Sequence, residues 1–315
     1  MKEELQIPQV SVIMATFNRR HLIEETLNSL RRQSFEDWEC LIIDDGSTDN
    51  TAVVVEKNIK GDKRFHYFKR AKKYSQGLPG SRNNGLDLAK GRYIMFVDDD
   101  DILHPENLQV SVNVLEKYET SFCRFDKKPF TGNWTENNLN KIDKFKEELF
   151  RINDLEKMIT GKIPFASCTV LWSRRCFQNL RFNEELMYAE EWECYTRILS
   201  EGYEGVSIEQ VLYFNRKHSN SNTAEFWEND QARVSSYVQA AIEIISVLKK
   251  KNLFTPGLKN FFLRLGFNLR NKEIIEETLF ATGAGKFEKM QYLMGLKYYS
   301  WLRPIFYIKG KILRN

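Results

Sequence analysis

Tyr93-Ile94-Met95-Phe96-Val97-Asp98-Asp99-Asp100-Asp101 is an apolar run that ends abruptly in a block of carboxylates. A short, unbroken apolar stretch reads as a strand covered on both faces, the kind found in parallel sheets. Crowded carboxylates repel one another and resist burial unless a cation or water is at hand. Oxygen ligands of this sort suit Mg2+ or Mn2+, which take one or two carboxylates together with substrate phosphates. A solvated acidic turn is the alternative reading. A calcium loop of the EF-hand type fails on spacing, because Ile102 takes the next ligand position and no glycine follows.

The same pattern recurs upstream. Val10 to Ala15 is apolar and runs into Thr16-Phe17-Asn18-Arg19, and Glu39 to Ile43 runs into Asp44-Asp45-Gly46-Ser47. Between them, Leu22, Ile23, Thr26, Leu27 and Leu30 recur at helical spacing within Arg20 to Gln33. Asp49 or Asn50 can cap a helix through Thr51 to Lys57. Phe65 to Phe68 reads as another strand, and Asn83 to Ala89 as a short helix closed by Gly91. This alternation implies an α/β fold with right-handed crossovers, a Rossmann-like and mainly parallel sheet flanked by helices. Ligands of such sheets sit outside the carboxyl ends of the strands, so the three polar clusters are expected at one edge.

Downstream, Glu106 to Tyr118 reads as a helix, Phe122 to Phe125 as a strand and Asp126 to Glu148 as polar loops. Cys168 to Trp172 is a strand candidate, Glu190 to Leu199 a helix and Val211 to Phe214 a strand. From Phe226 the pattern is helical. The expected organisation is a sheet domain over residues 1–225 and a helical C-terminal region over 226–315.

Composition excludes several classes. A net charge of +4 on 315 residues, with basic and acidic groups nearly matched, gives no sign of a nucleic-acid partner. The cysteines Cys40, Cys123, Cys168, Cys176 and Cys194 are odd in number and form no CxxC pair, which argues against a zinc ribbon or a disulfide framework. Cys40 lies in an apolar run and reads as a buried free thiol. Met1 to Gln9 lacks an apolar signal core, and no apolar stretch is long enough to span a bilayer. A cytoplasmic location is the expectation.

The segment from Pro8 to Arg19 resembles the opening of family 2 glycosyltransferases, and Asp44-Asp45-Gly46-Ser47-Thr48-Asp49 resembles their second motif. Gly80-Ser81-Arg82-Asn83-Asn84-Gly85 resembles the third, and Phe96 to Asp101 followed by Pro105 resembles the fourth. The motifs come in the family's order and at family-like spacing, covering Pro8 to Phe214. The resemblance implies a GT-A fold and an inverting, metal-dependent transfer of sugar from a nucleotide-sugar donor, a UDP-sugar by the same likeness. The acceptor would be a hydroxyl of a saccharide or lipid-linked saccharide, in surface polysaccharide or glycolipid synthesis. Donor contacts are implied for Thr16, Asn18, Arg19, Asp45, Arg82, Asp98 and Asp99, with Asp45 at the base, Asp98 at the ribose or a neighbouring group and Arg82 at the nucleotide or diphosphate. Asp100, the last member of the family's DxD, would hold Mn2+ or Mg2+. His218 resembles a late histidine that approaches the diphosphate or the metal. Ala15 stands where the family often has proline, and Asp99 is an unusual insert between Asp98 and Asp100.

Ala189-Glu190-Glu191-Trp192-Glu193 resembles the family's ED motif, whose second acid is the base that deprotonates the acceptor. That position is Glu191, a departure from the commoner aspartate, with Glu190 as the alternative base. Adjacent helical residues do not share a face, so the two are not expected to converge on one hydroxyl. Trp192 would either exclude water from the base or serve packing. Arg82 carries a planar fork that fits phosphate oxygens better than lysine does.

After Glu288 no acidic residue follows, while Lys297, Arg303, Lys309, Lys311 and Arg314 interleave with Tyr298, Tyr299, Trp301, Phe306 and Tyr307. Basic and aromatic groups in this mixture suit the surface of an anionic bilayer, and so peripheral contact with the inner face of the plasma membrane. Packing on the catalytic domain, or on a partner subunit in a homo-oligomer, is the other reading. Among rival functions, a nucleotidyltransferase or a dinucleotide oxidoreductase would need a glycine-rich loop after the first strand, and Ala15 to Arg20 has no glycine. A non-catalytic nucleotide-sugar-binding scaffold of the same fold remains the alternative.

Overall fold

The computed structural model describes residues 7–217 and 230–298. Contacts divide the chain into two compact units, Met1–Ser236 and Tyr237–Asn315, later in the sequence than the boundary read at 225/226.

The first unit is built on a nine-stranded sheet. Strand β1 (Val10–Thr16) is its centre, pairing in parallel with β2 (Trp38–Asp44) and β4 (Tyr93–Asp98). β3 (Phe65–Lys69) adds in parallel beyond β2 and buries only Phe65 completely, as fits the edge of a sheet. β1, β2 and β4 are buried along nearly their whole length, which is why their sequences are unbroken apolar runs. Register sets the site: Thr16 lies opposite Asp44 and Ala15 opposite Asp98, so three strand ends finish level at one edge.

Helices α1 (Ile23–Arg31), α2 (Thr51–Ile59) and α3 (Leu78–Leu88) form the crossovers. α1 buries Ile23, Thr26, Leu27 and Leu30 and starts later than the spacing suggested. The delay has a local cause: Asn18 is left-handed (φ 54°), and Arg19 to Leu22 closes a turn before helical pairing begins. α3 starts earlier than expected, at Leu78, because Pro79 in its first turn has a φ already suited to a helix and no N–H to lose. Its Gly85 is required by close packing, since a Cβ there would lie 2.3 Å from the Cγ2 of Ile13 on the central strand.

Past β4 the sheet becomes mixed. The two-residue β5 (Ile102–Leu103) precedes α4 (Asn107–Tyr118) and β6 (Phe122–Phe130). β7 (Glu147–Phe150), the short helix α5 (Leu155–Ile159), β8 (Val170–Ser173), α6 (Glu190–Ser200) and β9 (Gly205–Arg216) complete the unit. β8 is antiparallel to both β4 and β6, while β6 and β9 run parallel; β5 and β7 pair antiparallel with β9. The parallel expectation therefore describes the first four strands, and the remainder joins in both directions. β5 and β7 left no sequence signal, being too short or too polar for a period-two pattern. β6 continues into Asp126-Lys127-Lys128, expected as loop, because its backbone finds partners on β9 whatever its side chains are.

The C-terminal unit contains α8 (Pro256–Asn268), α9 (Lys272–Ala281) and α10 (Lys286–Lys297), following α7 (Gln231–Lys250) in the chain. Thr255 and Asn271 cap α8 and α9 through side-chain oxygens accepting from Leu258 and Ile274 N–H groups, at 3.0 and 2.9 Å. Leu263, Ile275 and Leu279 form its small core, with Tyr292, Leu293 and Leu296 of α10 packed against them. All five cysteines are free and buried, Cys40 included.

Candidate active site

The carboxyl ends of β1, β2 and β4 open on a cleft of about 650 Å3. A cavity of about 520 Å3 beside Gln9, Lys90 and Arg92, near the strands' amino ends, receives none of the candidate site residues.

The β2 end shows how the loops are held. One oxygen of Asp44 accepts the N–H groups of Gly46 and Ser47, at 2.9 and 2.7 Å, and the other accepts the Tyr67 hydroxyl. That turn needs Gly46 at φ +103°, where a side chain would be strained. With Asp44 spent on the loop, Asp45 faces the cleft, its carboxylate accepting from the Gly77 N–H (2.9 Å), the Ser81 hydroxyl (3.1 Å) and Arg70. Asn18 differs from expectation. Its side-chain oxygen accepts the Thr48 N–H at 2.8 Å and its own N–H donates to Ser47, so it ties two loops together and does not line the cleft. Thr16 and Arg19 do line it.

The acidic segment at the end of β4 is spread over several partners. Arg19 pairs with Asp99 at 3.2 Å and reaches Asp100 at 3.9 Å. Asp101 is buried and accepts the Arg216 N–H at 2.7 Å, while the Arg216 guanidinium donates to the Asp100 carbonyl at 3.0 Å. Burial pushes Asp98 and Asp101 upward, and neighbouring carboxylates add to the effect; burial with the Asp100 charge pushes Asp99 up to about 7, against Arg19. One donor atom each from Asp98, Asp101 and Cys168 lie within 4.8 Å of one another. Crowded carboxylates that raise one another's proton affinity are the donor set a hard divalent cation satisfies. Cys168 adds little, since burial pushes its thiol well up and leaves it neutral. Asp100, expected as the metal ligand, lies beside this trio and within reach of Arg19, and His218 falls outside the described residues.

Arg82 is the hub of the site. It lines the cleft yet is almost fully buried: one nitrogen meets Glu190 at 2.7 Å, and another meets Ser167 at 2.8 Å and Asp98 at 3.4 Å. Side-chain exposure is 3% for Arg82 and 6% for Glu190, so this ion pair is out of water. It links the third motif to the helix start at α6.

Glu190 and Glu191 were not expected to converge, yet both line the cleft, near enough for the Glu191 charge to act on the Glu190 carboxyl. The cause is position. Glu190 is the first residue of α6, after a left-handed Ala189 (φ 62°), where no preceding turn restricts its side chain. Burial, then the Glu191 charge, pushes Glu190 up to about 8 against the pull of Arg82. Trp192 points elsewhere, donating its indole N–H to the Ile159 carbonyl at 3.1 Å, a packing role.

Lys127 escaped the sequence reading. It lines the cleft on the extension of β6, just past two register shifts against β9 that re-aim the strand. Burial lowers its proton affinity, but Cys168, Asp98, Asp101 and Glu191 together raise it, so the ammonium stays charged among the site's carboxylates. Among the described residues no hydrogen bond or ion pair holds it. The available signal was positional: Asp126-Lys127 follows an apolar strand as the other three polar clusters do.

Asp99 and Glu190 keep protons in the fold that the unfolded chain gives up near ordinary carboxylate values. The native state therefore binds more protons than the unfolded state between about pH 4 and about pH 8, and stability falls as pH rises through that window. Melting temperatures of the ligand-free protein are expected to drop across it, with added Mn2+ restoring the loss at the upper end. A flat profile would mean that Arg19, Arg82 and Lys127 already balance these carboxylates.

A family model described as glycosyl transferase family 2 matches residues 11–175. The GalNAc(5)-diNAcBac-PP-undecaprenol beta-1,3-glucosyltransferase of Campylobacter jejuni is 34% identical over 277 residues, 87% of this chain and 76% of that protein. The UDP-Glc:alpha-D-GlcNAc-diphosphoundecaprenol beta-1,3-glucosyltransferase WfgD of Escherichia coli is 35% identical over 113 residues, 36% of this chain and 43% of its own. The crystal structure of S. aureus TarS 1-349 in complex with UDP-GlcNAc shares the fold, with TM-score 0.61 at 17% identity over 93% of this chain and 92% of that one. With its motifs on the strand ends of a GT-A sheet, the chain belongs to glycosyl transferase family 2 and is a glycosyltransferase.

Proposed function

We propose that the protein moves a sugar from a UDP-sugar to a hydroxyl of a lipid-linked saccharide, with inversion at the anomeric carbon, in the assembly of a cell-surface polysaccharide or glycolipid. The observation that carries this reading is that one cleft receives both the acidic end of β4 and the Glu190–Glu191 pair. Two relatives support the substrate class by name: both are glucosyltransferases acting on undecaprenol-diphosphate saccharides, and one of the names gives UDP-Glc as donor. Such an acceptor would bring the protein to the cytoplasmic face of the membrane; no described helix is long and apolar enough to cross one.

Asp45, Thr16 and Arg19 are assigned to the nucleotide. Asp98, Asp100 and Asp101 would hold Mn2+ or Mg2+, which supplies charge neutralisation for the donor diphosphate when bound. Lys127 supplies a second positive charge for the same phosphates. Glu191 accepts the proton of the acceptor hydroxyl as that oxygen bonds to the anomeric carbon. The bond from that carbon to the diphosphate breaks on the opposite side, and its electron pair leaves with the nucleoside diphosphate. Arg82 holds Glu190 at 2.7 Å, which leaves Glu191 as the carboxylate to meet the acceptor hydroxyl.

The test is a melting-temperature screen of nucleotide sugars with and without Mn2+ on the wild type and Asp100→Ala. Stabilisation by one UDP-sugar that needs Mn2+ and disappears in the variant is the expected result. Absence of any response to nucleotide sugars or nucleoside diphosphates would overturn the reading in favour of a non-catalytic scaffold. Proton NMR of the product checks inversion.

A further inference from the structure

The C-terminal unit leaves an apolar stripe in water. Phe287, Met290, Met294 and Tyr298, on α10 and its C-cap, are 69%, 50%, 51% and 52% exposed. At about 100° per residue their spacing places all four on one side of the helix. The other side is already used, with Tyr292, Leu293 and Leu296 packed on the unit's core. A surface helix ordinarily turns a polar face outward, and α10 is apolar on both. Phe280, at the end of α9, is a further exposed aromatic, 64% accessible, with the Lys249 ammonium 3.3 Å from its ring centre.

Charge indicates what covers the stripe. The same helical geometry puts Lys286 and Lys297 along one flank, both exposed, with the Lys297 ammonium near the Tyr298 ring. Glu288, the one acid on α10, is engaged by Lys259 at 2.7 Å, and Glu276 on α9 by Lys272 and Lys289 at 3.3 and 3.8 Å. The sequence that follows Tyr298 adds Arg303, Lys309, Lys311 and Arg314 among aromatic residues, with no Asp or Glu. A second copy meeting α10 face to face would bring the same lysines against each other, with Glu288, the one acid of that helix, already paired. Flexible methionines and aromatics flanked by lysine fit a surface that is anionic and deformable: lipid headgroups above acyl chains.

We propose that the Phe287, Met290, Met294 and Tyr298 stripe seats the protein on an anionic bilayer, the apolar side chains entering the headgroup boundary and Lys286 and Lys297 meeting lipid phosphates. The use of such a seat rests on the lipid-linked acceptor proposed above; its physical basis does not.

The experiment is flotation of the full chain with vesicles of phosphatidylcholine, with or without phosphatidylglycerol. Binding is expected only with phosphatidylglycerol, weakening as salt rises. The variant Met290→Ser with Met294→Ser is expected to lose at least tenfold in binding while keeping its melting temperature and its response to a UDP-sugar and Mn2+. Both side chains are exposed, so the fold has no stake in them. Removal of residues 299–315 is expected to leave measurable binding that the double substitution then abolishes. Unchanged binding in the full-length double variant, or loss of all binding on removing 299–315 alone, would overturn the proposal and make the following segment the anchor. Concentration-dependent dimerisation lost in the double variant, without vesicle binding, would overturn it in favour of a second copy. The donor response is read separately, so failure of the transferase reading would appear there and not in flotation.

Discussion

Glu191→Gln is expected to lose sugar transfer by about 10²- to 10⁴-fold, the range a positioned general base contributes, while still binding donor and Mn2+. The amide keeps the shape but cannot take a proton from the acceptor. The fall should appear in kcat, with little change in the donor's KM, because the base acts only as the acceptor oxygen bonds to carbon. Steady-state rates with a lipid-linked acceptor, alongside donor titration by melting temperature, separate the two. Glu190→Gln is the informative companion. Since Glu190 is enclosed with Arg82 as its ion-pair partner, its amide should cost less in rate than the Glu191 change. The reverse order, Glu190→Gln silent in transfer and Glu191→Gln active, would exchange the two roles.

Arg82→Met is expected to have the largest effect on stability of any single change in the site. The guanidinium is enclosed with Glu190 and also serves Ser167 and Asp98, so its removal strands three acceptors at once. Breaking a buried pair from one side costs about 3–5 kcal/mol. The lower end applies, because Glu190 can take up a proton and avoid being left as a bare charge. Urea unfolding measures the loss, and a cycle with Glu190→Gln tests its origin: the double variant should be less destabilised than the sum of the two single changes. An unchanged urea midpoint in Arg82→Met, together with lost donor binding, would instead restore Arg82 to the diphosphate.

The two predictions concern residues that the sequence located but did not orient. Arg82 stood in a recognisable motif, and a fork for phosphate was a reasonable reading of its chemistry. In the fold that fork pairs with carboxylates from two other motifs while lining the cleft. Lys127 is the converse. A lysine in a polar stretch carries no signal of its own, and only the irregular pairing of β6 with β9 turns it into the cleft.

The amino-acid sequence by itself determined the strands β1, β2 and β4, the helices between them and the edge at which they deliver Thr16, Asp45 and Asp98. These features follow from local rules: a buried parallel strand must be apolar throughout, and polarity can return only where the strand ends. It also marked Glu190 and Glu191 as candidates for acid–base work. The tertiary structure alone decided which carboxylates are committed. Asn18 ties loops, Asp44 shapes a turn, Arg82 is enclosed with Glu190, and Asp98 and Asp101 approach Cys168 from a different strand connection. Such choices depend on distances between residues far apart in the chain, and on burial that raises or lowers a proton's affinity once neighbours are in place. Periodicity can place a residue on a face, but pairing across the sheet determines what that face meets.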